Sequence, residues 1–93
     1  MRTISRTTAF RRDYKRELKG RYRKTLEGDL RDVLEILVVD GTLPERCYDH
    51  ALTQDWKDHR DCHIKPDLIL IYRLPNGESL ELVRLGSHSE LGV

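Results

Sequence analysis

At Trp56 the hydrophobic pattern of this chain changes period, and that change calls for two kinds of structure in one small unit. Before it, apolar residues recur at helical spacing; after it, they alternate with polar ones as on a half-buried strand. Leu26, Leu30, Val33, Leu34 and Leu37 stand at i, i+4, i+7, i+8 and i+11, which predicts an amphipathic helix from Leu26 to Asp40. Gly41 falls where a C′ residue belongs, with Pro44 three residues later. Phe10, Tyr14 and Leu18 recur every four residues and predict an earlier helix, starting at Ala9 behind a Thr7 or Thr8 cap and ending near Gly20. The short connection between the two implies an antiparallel helical hairpin. Arg2–Arg6, with β-branched Thr3 and Ile4, reads as a short first strand.

Downstream, Cys62 and Ile64 alternate with His63 and Lys65. Pro66-Asp67 marks a turn. Leu68–Tyr72 is a nearly continuous apolar run, as on a central strand covered on both faces. Pro75-Asn76-Gly77 reads as a hairpin turn, with Asn and Gly able to take positive φ. Leu80–Leu85 is the returning strand, with Leu80, Leu82 and Arg84 on one side and Glu81, Val83 and Leu85 on the other. Helices first and a β-meander afterwards give an α+β fold, two N-terminal helices packed on an antiparallel β-sheet. Residues 1–93 make one domain, with no repeats or linkers.

No apolar run approaches the roughly 20 residues of a spanning helix, and the N-terminus lacks the apolar core of a signal peptide. The expectation is a cytoplasmic protein without a membrane partner, its Cys47 and Cys62 reduced and unpaired. Net charge is +1 but unevenly spread. Residues 1–31 carry eleven Lys/Arg against four Asp/Glu, a balance of 11 − 4 = +7, and the rest carries six against twelve, or −6. A basic half in a near-neutral chain suits an anionic partner.

Chemistry concentrates between Tyr48 and Tyr72, which holds His50, His59 and His63 of the four histidines and the only tryptophan. Imidazoles exchange protons near neutral pH and suit general acid–base work. His50, His63, Asp67 and His88 are the candidates, with Arg84 as the cation for a phosphate. Arg84 and His88 lie four residues apart across Gly86, so a strand end and its loop can aim both at one group. Composition alone gives Arg84 another reading, an ion pair with Glu78, Glu81 or Glu90. No metal site is expected. His59 and His63 have helical i, i+4 spacing on a stretch that reads as strand, and no CxxC or HExxH pattern occurs. His59 reads as a solvated loop residue. Trp56 reads as packing or as a surface for a base, and Tyr48 is open to either role.

The strings LPERCYDHAL, WKDHRDCHIKPDLILIY and VRLGSHSEL resemble the bacterial mRNA interferase toxins of the RelE superfamily, above all their YafQ-like branch. The resemblance covers essentially the whole chain. It implies the RelE-like microbial RNase fold, with a curved sheet, and the toxin half of a type II toxin–antitoxin pair. It implies a ribosome-dependent, metal-independent endoribonuclease that cuts mRNA in the A site through the 2′-OH, leaves a cyclic phosphate and needs no cofactor. His50, His63, Asp67 and His88 match the family's acid/base positions and Arg84 its phosphate-stabilising arginine. Arg11, Arg12, Lys15, Arg16 and Lys19 would face RNA of the 70S ribosome. The implied partner is a ribbon-helix-helix antitoxin of the DinJ/RelB kind, through which alone the toxin reaches operator DNA. Two departures stand out: Leu68 replaces a tryptophan common after the aspartate, and the C-terminus reads Leu91-Gly92-Val93 without the usual aromatic. They motivate the alternative of a catalytically weak toxin-fold module that serves mainly as antitoxin partner and co-repressor.

Overall fold

In the computed structural model, which describes all residues Met1–Val93, the chain runs β1 (Thr3–Arg6), α1 (Thr8–Glu17), α2 (Leu26–Leu37), β2 (His50–Ala51), β3 (Arg60–Lys65), β4 (Leu68–Arg73), β5 (Ser79–Gly86) and α3 (His88–Leu91). Short 3₁₀ turns at Glu45–Cys47 and Gln54–Trp56 flank β2. The five strands form one sheet in the order β1-β5-β4-β3-β2. Three pairings are antiparallel, as the meander demands, and β1 pairs with β5 in parallel, Ile4 opposite Leu80.

Five of the six residues of β4 are buried, which explains its unbroken apolar run. Leu68, Leu70 and Tyr72 join the helix-side core with Cys62, Leu80, Leu82 and Leu85, beneath Phe10 of α1 and Leu26, Leu30, Val33 and Leu37 of α2. Ile69 and Ile71 point the other way, into a small cluster with Leu91. Both cysteines are buried and unpaired.

Thr7 caps α1, its hydroxyl accepting the Phe10 N–H at 2.9 Å and donating to the Val83 carbonyl at 2.7 Å, so one side chain starts the helix and ties it to β5. The stripe of α1 differs from expectation. Phe10 is buried and Tyr14 half-buried, but the helix stops at Glu17, and Leu18 turns outward at 38% exposure. Asp13 takes an inward position instead. The second helix also ends earlier than its apolar pattern suggests, at Leu37 rather than Asp40. Asp40, not Gly41, adopts the left-handed conformation (φ 56°). Gly41 donates to the Ile36 carbonyl and Asp40 to Leu37, a Schellman closure. Gly41 is needed for room: a Cβ there would lie 3.0 Å from the Ile36 methyl.

Two bulges break the expected alternation. The register shifts between His63 and Lys65, so Lys65 turns from His63's face toward α2 and pairs with Asp29. A second shift, where Ile71 and Tyr72 face Arg84 and Leu82, resets β5. Leu85 therefore joins Leu80 and Leu82 in the helix-side core. The β4–β5 connection uses no positive φ; Asn76 closes it by accepting the Glu78 N–H on its side chain at 2.8 Å.

Between β1, α1 and α2 lies an apolar groove of about 680 Å³, floored by Ile4, Phe10, Leu30 and Leu82 and edged by Arg2, Arg6, Arg11, Lys15 and Arg31. No helix is long and apolar enough to cross a membrane.

Candidate active site

The sheet face away from α1 and α2 is thinly covered, and three imidazoles gather there from three segments. β2 carries His50, β3 carries His63, and α3 begins with His88. The rings of His63 and His88 lie 5.2 Å apart, nearly edge to face. The Tyr48 ring links the third, His50, to His63, lying 4.5 Å from the first and 5.8 Å from the second.

Local structure aims each ring. Asp67, in the turn after β3, accepts the His88 backbone N–H at 3.0 Å and approaches its Nδ1 at 2.7 Å. Those two hydrogen bonds, helped by the charge of Arg21, hold the Asp67 carboxyl below its ordinary range. With Nδ1 donating inward, Nε2 of His88 is the nitrogen left for substrate. The α3 turn is fixed by a capping box in which Ser87 and Glu90 satisfy each other's backbone N–H groups. At Gly86, just before it, a Cβ would meet Arg16 Nη2 at 2.9 Å and Glu90 Oε1 at 3.1 Å, both ends of flexible side chains.

His50 is aimed in the same way. Its Nδ1 lies 2.8 Å from the Tyr48 carbonyl and 3.0 Å from Asp61 Oδ1. The hydrogen bond goes to the carbonyl, so Asp61 meets the ring as a charge, and its Oδ1 has no hydrogen-bond partner. The Asp61 side chain is only 5% exposed. Burial pushes its carboxyl up, opposed by the charges of His50, His63 and His88 and reinforced by Asp49. On the helix side, Asp49 accepts from Tyr72 Oη at 2.6 Å and from Arg60 at 3.2 and 3.3 Å, clamping the base of the loop that bears Tyr48 and His50.

Arg84 goes elsewhere. Its Nε and Nη2 donate to the buried carboxylate of Asp13, at 2.6 and 3.3 Å. The same carboxylate accepts the Leu85 N–H and Arg16 Nη1, both at 3.0 Å. Burial opposes ionisation of Asp13, but the Arg84 hydrogen bond, the Leu85 amide and the two guanidinium charges outweigh it and lower its pKa. No hydrogen bond or ion pair joins Arg84 to a histidine, and its partner is none of the three glutamates considered from sequence. The basic residues of α1 and its C-terminal turn are all exposed but divide. Arg11 and Lys15 edge the apolar groove, Arg12 stands beside Arg84, and Arg16 is occupied by Asp13, Glu17, Glu90 and the Leu85 carbonyl. Lys19 follows the helix.

The structure thus brings His50, His63, Asp67 and His88 together, adds Asp61, which sequence reasoning missed, and places Tyr48, left open between packing and base contact, at the site. Asp61 was within reach, since it stands two residues before His63 on a strand and shares its face. Nothing local marks Tyr48. His59 sits on a loop, bonded to the Lys57 carbonyl and packed on Trp56, away from the cluster. No three His, Cys, Asp or Glu side chains are arranged to hold a metal ion.

Two helices on one face of a five-stranded sheet, with imidazoles and carboxylates on the other, define the RelE-like toxin class. The family model described as a bacterial toxin of type II toxin–antitoxin system, YafQ, matches residues 2–93, and the chain belongs to that family. It is 32% identical over 90 residues to the mRNA interferase toxin YafQ of Escherichia coli K12, covering 95% of this chain and 97% of that protein. A toxin YafQ of Haemophilus influenzae is 47% identical over 54 residues, and there the match spans about half of each, 55% of this chain and 53% of that protein. Among solved structures, a copper-bound mutant toxin from Helicobacter pylori superposes with TM-score 0.85 at 36% identity, over 98% of this chain and 99% of that one. YafQ in the E. coli DinJ–YafQ complex superposes with TM-score 0.79 at 31% identity, over 98% of each chain.

Proposed function

We propose that this toxin is an endoribonuclease that cleaves mRNA in the ribosomal A site, in the cytoplasm, using the 2′-OH of the substrate as nucleophile. The observation that carries this reading is the pair of carboxylate–imidazole dyads, Asp67–His88 and Asp61–His50, on either side of His63. Each dyad turns Nδ1 inward and leaves Nε2 for a substrate atom. RNA cleavage by the 2′-OH needs one group to take a proton and another to give one. Asp61 supplies a buried counter-charge for an imidazolium at His50, which suits the donor to the leaving 5′ oxygen. His88, oriented by an exposed and water-screened Asp67, suits the acceptor of the 2′-OH proton. His63 stands between them, where the scissile phosphate would lie.

Arg84 enters as a cation held in place from α1. Asp13 occupies two of its three nitrogens, and Nη1 remains for a phosphate oxygen. Arg11, Arg12, Lys15 and Lys19 would meet ribosomal RNA. The antitoxin's place is the apolar groove, whose five cationic edge residues against Glu27 and Glu35 fit an acidic amphipathic segment. Operator DNA would be reached only through that partner.

The test is induction of the chain without its antitoxin, with mRNA ends mapped. Growth arrest and codon-phased cuts are expected, and both should vanish in His88→Ala and His63→Ala. Unchanged mRNA with the parent chain would leave a binding module instead.

A further inference from the structure

We propose that Tyr48 is the stacking platform for a nucleobase beside the scissile phosphate. This rests on the ribonuclease reading above and names how that site holds its substrate. Three observations carry it.

First, Tyr48 is the one exposed aromatic residue of the chain, at 64% exposure; Phe10 and Tyr72 are buried, and Tyr14, Tyr22 and Trp56 half-buried. Singly exposed apolar residues are ordinary on a protein surface, so the exposure matters only through what stands beside the ring, whose apolar body and polar tip suit contacts made on binding. Second, the ring stands at the site, 4.5 Å from His50 and 5.8 Å from His63, edge-on to the latter. A base covering the ring's open side would bring its ribose and phosphate to the imidazoles. The hydroxyl makes no hydrogen bond within the protein, so it is free for a base edge or a phosphate oxygen. Third, the Tyr48 backbone is left-handed, φ 46° and ψ 50°, a conformation that bulky L-residues rarely adopt. Of the four non-glycine residues with positive φ, two are aspartates and one is Gln54. Glycine would take this position without strain, so a tyrosine here opposes local backbone preference, as residues at functional sites do.

Other candidate surfaces are covered or stand apart from the three imidazoles. Leu68 follows Asp67 but is 1% exposed in the helix-side core, and Leu91 near the C-terminus is 5% exposed under the sheet. Trp56 is half-buried against the small apolar cluster of this sheet face and turns its ring toward His59, with no ring contact to His50, His63 or His88. RNA-cleaving and RNA-binding sites hold unpaired bases on aromatic faces, and only Tyr48 offers such a face to these imidazoles.

The experiment compares Tyr48→Gly and Tyr48→Phe with the parent on ribosomes programmed with mRNA. One substrate is cleavable. A second carries a 2′-deoxy nucleotide at the cut and 2-aminopurine beside it, so stacking reads as fluorescence quenching without any cleavage. Tyr48→Gly should lose about 5- to 150-fold in kcat/KM, the equivalent of one stacked base, and lose the quenching. Its melting temperature should not fall, because glycine relieves the backbone. Tyr48→Phe should rescue both signals to within a few-fold. Quenching and cleavage unchanged in Tyr48→Gly would overturn the proposal, as would an equal loss in Tyr48→Phe. If the parent quenches but cuts nothing, the ribonuclease reading fails and the platform stands.

Discussion

On the helix side of the sheet, fifteen buried residues form one cluster; on the other side, three do. The helix side is dry and holds its polar groups in matched sets, Asp13 with two arginines and a backbone amide, Asp49 with Tyr72 and Arg60. The other side exposes imidazoles and keeps a tyrosine in a strained backbone; each side has one buried carboxylate oxygen without a hydrogen bond, Asp29 Oδ2 facing Lys65 on the helix side and Asp61 Oδ1 facing His50 here. Such departures are costly for folding. They survive where a substrate supplies the missing partners, so the contrast separates what makes the chain fold from what makes it act.

Substitutions on the two faces should therefore fail in different assays. The largest effects belong to the open face. His88→Ala and His63→Ala should each lower single-turnover cleavage of ribosome-bound mRNA by about 10²–10⁴-fold, with a melting curve like the parent's. Asp13→Ala should do the reverse. It leaves the Leu85 N–H without its partner and takes the anion from two partly exposed guanidinium groups, at a cost of about 1–3 kcal/mol, measured by urea titration. The same carboxylate sets an acid limit. Its folded pKa is lowered, so its contribution is present above the ordinary value of 3.8 and lost as pH falls through the lower folded value. Acid unfolding should steepen below pH 3.8 in the parent and flatten in Asp13→Asn.

Asp61→Asn crosses the divide. The Asp61 carboxyl is raised in the folded protein, so its ionisation weakens the fold as pH rises above 3.8. Asparagine should raise the melting temperature at pH 7, by about 4–8 °C for each kcal/mol recovered, and leave it unchanged at about pH 3, where the carboxyl is already neutral. Cleavage should fall at the same time, and no further when His50→Ala is added. A stability loss at pH 7 would mean that the ionised carboxylate helps the fold, and a further loss of cleavage on adding His50→Ala would remove the counter-charge role. The smallest effect is Thr7→Ala, about 1 kcal/mol from a lost helix cap, with cleavage per folded molecule intact.

Much of this was legible in the sequence. The period change placed the helices and strands, and LILIY announced a strand buried on both faces. The first bulge was invisible, because Cys62-His63-Ile64-Lys65 alternates regularly and only the partner strand shows the slip; the second does break the alternation, at Leu82-Val83, a break that a strictly alternating reading passes over. They moved Lys65 to α2 and Leu85 into the core. The histidine set with Asp67 was readable from residue type and from resemblance. The buried partner of Arg84 was not, because Asp13 lies 71 residues away on a helix whose apolar stripe gave no reason to point an acid inward. Tyr48 could be left only as open to either role, since what decides it is exposure and a left-handed backbone.

The central claim is that imidazoles from β2, β3 and α3 act on one phosphate through the neighbouring 2′-OH. The most direct measurement replaces that single hydroxyl by hydrogen in ribosome-bound mRNA and follows cleavage together with the product ends. The account predicts a 2′,3′-cyclic phosphate on the normal substrate and no cut at the deoxy position. Cleavage of the deoxy mRNA at the normal rate would contradict it.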